Sequence, residues 1–167
     1  MRRAWGGTLS LLLAGCSGPD DTRAKGCPAS PSSFDAIEGA VGIGVVGDAG
    51  FELIAEGQAL PLVRGFQGGY MLTPTVRADE ATFGTDGRCV QMDIAADVAS
   101  GPAVEQHYRF AALKSDAGSW FSDTVPLFLA TNPDELSGKS CTITATWRDD
   151  AVESTGSVAV LLSYQGD

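Results

Sequence analysis

The single histidine and four cysteines of this chain limit the side-chain chemistry open to it. His107 must serve any triad or imidazole-dependent metal site. It stands in Val104-Glu105-Gln106-His107-Tyr108-Arg109-Phe110, where a strand period of two puts it on one face with Glu105 and Arg109. A base beside a carboxylate is only part of a hydrolytic apparatus, and the G-x-S-x-G elbow that would present a serine nucleophile does not occur. The favoured reading is a polar strand face open to water, with no catalytic residue assigned. The alternative is an accessory hydrolase-type enzyme using His107 and a loop carboxylate.

Metal and cofactor signals are equally sparse. No C-x-x-C pair accompanies the lone histidine, which argues against zinc. Acidic residues near expected turns (Asp79-Glu80, Asp86, Asp116, Asp123, Asp134-Glu135, Asp149-Asp150) form no D-x-D-x-D run, and Asp is an ordinary turn residue. Gly42-Ile43-Gly44-Val45-Val46-Gly47 matches G-x-G-x-x-G letter for letter. A dinucleotide site also needs a helix after the glycines and an acid about twenty residues on. Here Asp48-Ala49-Gly50 interrupts at once, so the glycines read as close backbone packing in a strand. No cofactor is expected. Trp120-Phe121, after Ala117-Gly118-Ser119, reads as a loop with a possible ligand surface for a sugar or a protein, set against plain core packing.

The amino terminus carries the most specific pattern. Arg2 and Arg3 precede an apolar run from Thr8 to Ala14, too short to span a bilayer, and small residues lead to a cysteine. Leu13-Ala14-Gly15-Cys16 resembles the lipobox of bacterial lipoproteins. That resemblance implies cleavage before Cys16, lipid attachment on its sulfur, and a membrane anchor in an oxidising compartment. Ser17 in place of Asp resembles the sorting signal for the outer membrane.

The rest of the chain suits an exported domain on a tether. Loss of Arg2 and Arg3 with residues 1–15 takes the formal charge from −10 to −12, which repels nucleic acid. Ser17–Ser33 holds three prolines, two glycines and hardly any apolar residue, so with Cys16 it reads as a flexible tether over residues 16–33. Residues 34–167 form one domain of ordinary size.

Short apolar runs separated by turn residues fill that domain: 40–46, 51–55, 60–64, 70–77, 89–98, 104–111, 125–130, 140–148 and 157–164. Val90, Met92, Ile94, Ala96 and Val98 share one face opposite Gln91, Asp93 and Asp97, and Cys141, Ile143, Ala145 and Trp147 alternate with Thr142, Thr144, Thr146 and Arg148. Pro74 breaks the run 70–77, and a helical turn is expected only at 132–137, begun by Asn132 and Pro133. The expected fold is an all-β antiparallel sandwich. Cys141–Leu162, two alternating strands about an Asp-Asp turn, resembles the closing hairpin of an immunoglobulin-like domain. Leu60-Pro61-Leu62-Val63 and Gln67-Gly68-Gly69-Tyr70 resemble segments of uncharacterised myxobacterial lipoproteins, which implies a lipobox, a tether and one small sandwich. The partners that follow are a membrane, reached through the lipid, and an envelope protein or cell-wall glycan.

With Cys16 lipidated, Cys27, Cys89 and Cys141 leave three possible pairings. Cys89–Cys141 is the favoured bridge and the tether residue Cys27 the rival partner, although Cys89 and Cys141 differ in apolar phase.

Overall fold

The computed structural model describes residues 35–83, 89–111, 113–114, 118–149 and 152–164. The expected signal segment, Cys16, and the tether with Cys27 lie outside the described residues. In chain order the strands are β1 (Asp35–Glu38), β2 (Val41–Gly47), β3 (Gly50–Leu53), β4 (Ala59–Pro61), β5 (Val63–Arg64), β6 (Tyr70–Leu72), β7 (Thr75–Asp79), β8 (Cys89–Val98), β9 (Ala103–Ala111), β10 (Leu113–Lys114), β11 (Ser119–Phe121), β12 (Leu127–Ala130), β13 (Ser140–Asp149) and β14 (Val152–Ser163). They form a six-stranded sheet ordered β1-β14-β13-β8-β9 with β4 also on β14, a five-stranded sheet ordered β10-β11-β7-β2-β3, and a three-stranded sheet ordered β12-β6-β5. The sheets pack face to face as an all-β sandwich.

Alternation builds the core. On β8, Met92, Ile94, Ala96 and Val98 are almost fully buried, and so are Cys141, Ile143, Ala145 and Trp147 on β13. β2 supplies Val41 and Ile43 from the facing sheet, and β7 supplies Val76 and Ala78. β2 packs across the β13–β14 hairpin at Ala145–Gly156, the smallest pair in that register. A Cβ on Gly156 would stand 2.5 Å from the Val41 carbonyl oxygen. Glycine is therefore the residue that lets the sheets meet there.

Pro74 divides the run 70–77 into β6 and β7, as its missing N–H requires. The turn at Asn132 also forms: Pro133–Glu135 is a single 3₁₀ turn, and the Asn132 side chain accepts a hydrogen bond from the Asp134 N–H at 3.2 Å. Four features differ from the sequence expectation. A second helical turn, α1 (Glu80–Phe83), follows β7; the Asp79 carboxylate accepts the Ala81 N–H at 3.3 Å, and Phe83 is buried against Trp147. Four residues are too few to show a helical period. Trp120 and Phe121 lie on strand β11 rather than in a loop. The sandwich is not wholly antiparallel, because β1 and β4 both pair with β14 in parallel. Both lie far from β14 in sequence, so no hairpin dictates their direction.

The fourth difference concerns the favoured disulfide. Cys141 sits opposite Val98, at the far end of β8 from Cys89. Nine residues of strand separate those positions, about 30 Å at 3.3 Å per residue. A bridge tolerates Cα atoms no more than about 7 Å apart, so Cys89 and Cys141 are not partners. Cys141 is a buried free thiol instead, and burial, helped by the nearby Asp97 charge, pushes it up to about 11.

Two outcomes follow. Gly156→Ala should destabilise the domain by about 1–3 kcal/mol in urea unfolding, the usual penalty of overpacking. Gly47→Ala, which meets nothing within 4 Å, should change stability far less. Cys141 should resist an exchangeable disulfide reagent in the native protein at pH 8 and react only as the domain unfolds.

Candidate interaction surfaces

The inner sides of the strands make the core, so their outward sides carry whatever the domain offers to a partner. Three outward surfaces differ in chemistry.

The six-stranded sheet is polar on its outward side. Asp93 and His107 face each other across β8 and β9, with Nδ1 2.7 Å from Oδ1. Glu105 stands two residues along β9, 3.9 Å from Nε2. Arg148 bridges from β13 to Asp93 on one side and to Glu153 of β14 on the other. Thr146 and Thr155 share a hydrogen bond at 2.9 Å beside them. Diagonal and direct neighbours across four strands thus form one ion-paired ladder, which holds the sheet in register.

Hydrogen bonding to Asp93 raises the His107 pKa above its ordinary value, against a slight opposing effect of burial. Burial works to raise the Asp93 carboxyl, but hydrogen bonds and charge from His107 and Arg148 outweigh it and hold the group below its usual range. The sequence expectation that His107 shares a face with Glu105 is met, while its carboxylate partner, Asp93, comes from a neighbouring strand rather than a loop. The pair stands on open sheet: the His107 side chain is 66% exposed, and neither described cavity is lined by it.

The five-stranded sheet presents an aromatic face. Trp120 points inward and is only 3% exposed, so it takes no part in a ligand surface. Its neighbour Phe121 points outward, half-buried, and meets the Phe51 ring edge-on with centroids 5.1 Å apart. The Arg77 guanidinium lies 5.7 Å from the centre of the Phe51 ring. Val46 and Leu53 extend this surface at 60% and 53% exposure.

Two glycines of the G-x-G-x-x-G stretch make room for these side chains. Gly42 and Gly44 fall on the outward side of β2, where a Cβ on Gly44 would meet the Phe51 ring at 2.4 Å and one on Gly42 would meet Leu53 at 2.7 Å. The missing side chains let Phe51 and Leu53 fold down against the strand. The motif therefore spans a strand, and its glycines seat hydrophobic side chains. Sequence reasoning missed Phe51 and Arg77; the alternation of Arg77 with Val76 and Ala78 was the available signal.

The three-stranded sheet is apolar outward. Val63, Met71 and Phe128 stand in one cross-strand row, and the β5–β6 turn carries Phe66 at its tip. A shallow groove of about 350 Å³ lies beside it, lined by Gln67, Gly69 and residues 128–131. Leu62 donates to the Ser163 carbonyl at 2.8 Å, and Tyr70 meets Tyr164 edge-on, fixing this sheet to the end of β14.

Among the described residues no group of three or more His, Cys, Asp or Glu side chains is arranged to hold a metal ion, and no helix is long and apolar enough to cross a membrane. No family model matches the chain, and no curated protein or solved structure matches it either.

The His107 pKa, followed by NMR through the ring protons, should lie above 6.5 and fall toward that value in Asp93→Asn. The associated stability is fully present below the unfolded-state pKa and is lost as pH rises through the folded-state value. Since His107 is exposed, Asp93→Asn should flatten this pH dependence while leaving the fold intact.

Proposed function

We propose that this protein is a lipid-anchored, non-enzymatic module of the cell envelope that binds a cell-wall glycan or an envelope protein through the outward face of its five-stranded sheet. The observation that carries the reading is the Phe51–Phe121–Arg77 platform. It sets an aromatic ring, its edge-on neighbour and a guanidinium over Gly42 and Gly44, with Val46 and Leu53 around them. An outward aromatic and apolar surface with one cation suits stacking against a sugar ring or anchoring a protein side chain, with the guanidinium as a hydrogen-bond donor. Rigid strands place these groups before binding, so little ordering entropy is lost on association.

The lipobox-like Leu13-Ala14-Gly15-Cys16 and the polar tether support the anchor and an exported, outer-membrane location. The closing hairpin of β13 and β14, with β1 laid parallel to its last strand, supports an immunoglobulin-like version of the sandwich. A hydrolase-type enzyme is the second reading, favoured by the 2.7 Å contact of His107 with Asp93. On an open face a substrate would keep its water, which weakens the preorganised electrostatics that catalysis needs.

Co-sedimentation of the protein with purified insoluble cell-wall glycan, alongside crosslinking in intact envelopes, tests the binding reading. Phe51→Ala and Arg77→Ala should each weaken retention about ten-fold, the effect of losing roughly 1.4 kcal/mol, and His107→Gln should leave it unchanged. Retention or crosslinking unaffected by either platform variant would overturn the reading. Cys16→Ala should move the protein from the membrane to the soluble fraction; continued membrane retention would overturn the anchor.

A further inference from the structure

Carboxylates outnumber cationic side chains in this chain by 21 to 11, so an arginine on its surface has acids in excess to pair with. Arg148 takes two, Asp93 and Glu153. Arg77 takes none. Among the described residues it forms no ion pair, and the interaction it does make is with the Phe51 ring, whose centre lies 5.7 Å from the guanidinium carbon. The acids adjacent to it in the sheet are directed elsewhere. Asp79, two residues along β7, accepts the Ala81 N–H at the start of α1. Glu52 alternates to the side of β3 opposite Phe51 and Leu53.

A ring contact leaves most of the chemistry of a guanidinium unmet. The aromatic face attracts the charge, but it offers no carboxylate lone pairs to the five N–H donors. Arg77 is half-buried, so a hydrogen bond accepted from it is stronger than one made in open water. The ring also restrains the side chain, which lessens the ordering that a two-pronged acceptor would demand. Carboxylate and phosphate both fit such a fork. One cation in a chain of net charge −10 suits the single charge of a carboxylate better than the two of a phosphate group. The extent of the face distinguishes a sugar from a protein. Val46, Phe51, Leu53, Arg77 and Phe121 are few beside the roughly 20–30 residues that each partner brings to a stable protein interface. A surface of that extent suits a sugar ring packed beside the fork.

We infer that the ligand of this face is an acidic sugar, whose ring packs on Phe51, Phe121 and Leu53 while its carboxylate takes paired hydrogen bonds from Arg77; this rests on the platform being the binding face and narrows its ligand class to carboxylate-bearing glycans.

An NMR titration of the isotope-labelled full chain, carrying Cys16→Ser to keep lipid off, tests it with four probes. They are N-acetylmuramic acid, its methyl ester, N-acetylglucosamine 6-phosphate and a hexaglutamate peptide. The acid should shift the Phe51, Arg77 and Phe121 amides and bind about ten-fold tighter than the ester, which keeps the shape and loses the charge. Arg77→Gln should bring the acid down to the affinity of the ester. Arg77→Lys should keep part of the preference, because a point charge does not grip both oxygens. Both variants should melt near the temperature of the parent, and His107→Gln, on the other sheet, should change nothing. Equal binding of acid and ester, a preference that survives Arg77→Gln, or a face silent toward every probe would overturn the inference. Tighter binding of the phosphate sugar or of the peptide would overturn it in favour of that class. The platform reading fails separately, when retention on insoluble glycan is indifferent to Phe51→Ala and Arg77→Ala.

Discussion

The sandwich depends on how closely β2 can lie across the β13–β14 hairpin. At that crossing the register places Ala145 beside Gly156, with Trp147–Ser154 on one side and Ile143–Val158 on the other. Trp147, Ile143 and Val158 flank this low point, and β2 lies over it, with the Val41 carbonyl 2.5 Å from where a Gly156 side chain would begin. Interiors pack at crystal-like density, so one methyl group at this point would separate the layers and loosen contacts well beyond it. Val41 and Ile43 reach the core because the low point exists. Gly42 and Gly44, on the opposite side of the same strand, give Phe51 and Leu53 their seats. The core contact and the aromatic face thus share one strand.

The outward surfaces divide the work along chemical lines. On the six-stranded sheet, carboxylates, an arginine, a histidine and hydroxyls satisfy one another in a ladder that leaves little unmet demand for a ligand. On the five-stranded sheet, Arg77 is held by a ring rather than by a carboxylate, and hydrophobic side chains stand in water around it. On the three-stranded sheet, the carboxylates give way altogether to an apolar row and a projecting phenylalanine. A partner that covered the second or third surface would release the water ordered over it, a gain that the ladder does not offer.

Much of the architecture was legible in the sequence. The alternation in Val90–Val98 and in Cys141–Trp147 gave two central strands and their buried sides, and Pro74 and Asn132-Pro133 gave a break and a turn. The start of β14 was not legible, because Ser154 is buried and Gly156 is small where an apolar residue would announce a strand. The cysteines misled for a different reason: count and strand position say which thiols could pair, while register decides which can reach. Only long-range pairing places Cys141 opposite Val98. Of the sites, Phe121 was visible but its neighbour Trp120 turned inward. His107 was seen with Glu105, whereas Asp93 came from an adjacent strand and could not be paired without the sheet. Phe51 and Arg77 were invisible as a site because nothing local links residues on β3, β7 and β11.

The most direct test of the central claim, that the aromatic face rather than the histidine ladder contacts the envelope, is a two-dimensional NMR titration of the isotope-labelled protein with solubilised cell-wall glycan fragments. Chemical-shift changes should concentrate on the amides of Gly42, Gly44, Phe51, Leu53, Arg77 and Phe121, with His107 and Asp93 unmoved. Changes centred on His107, Asp93 and Arg148, with the Phe51 face silent, would contradict it.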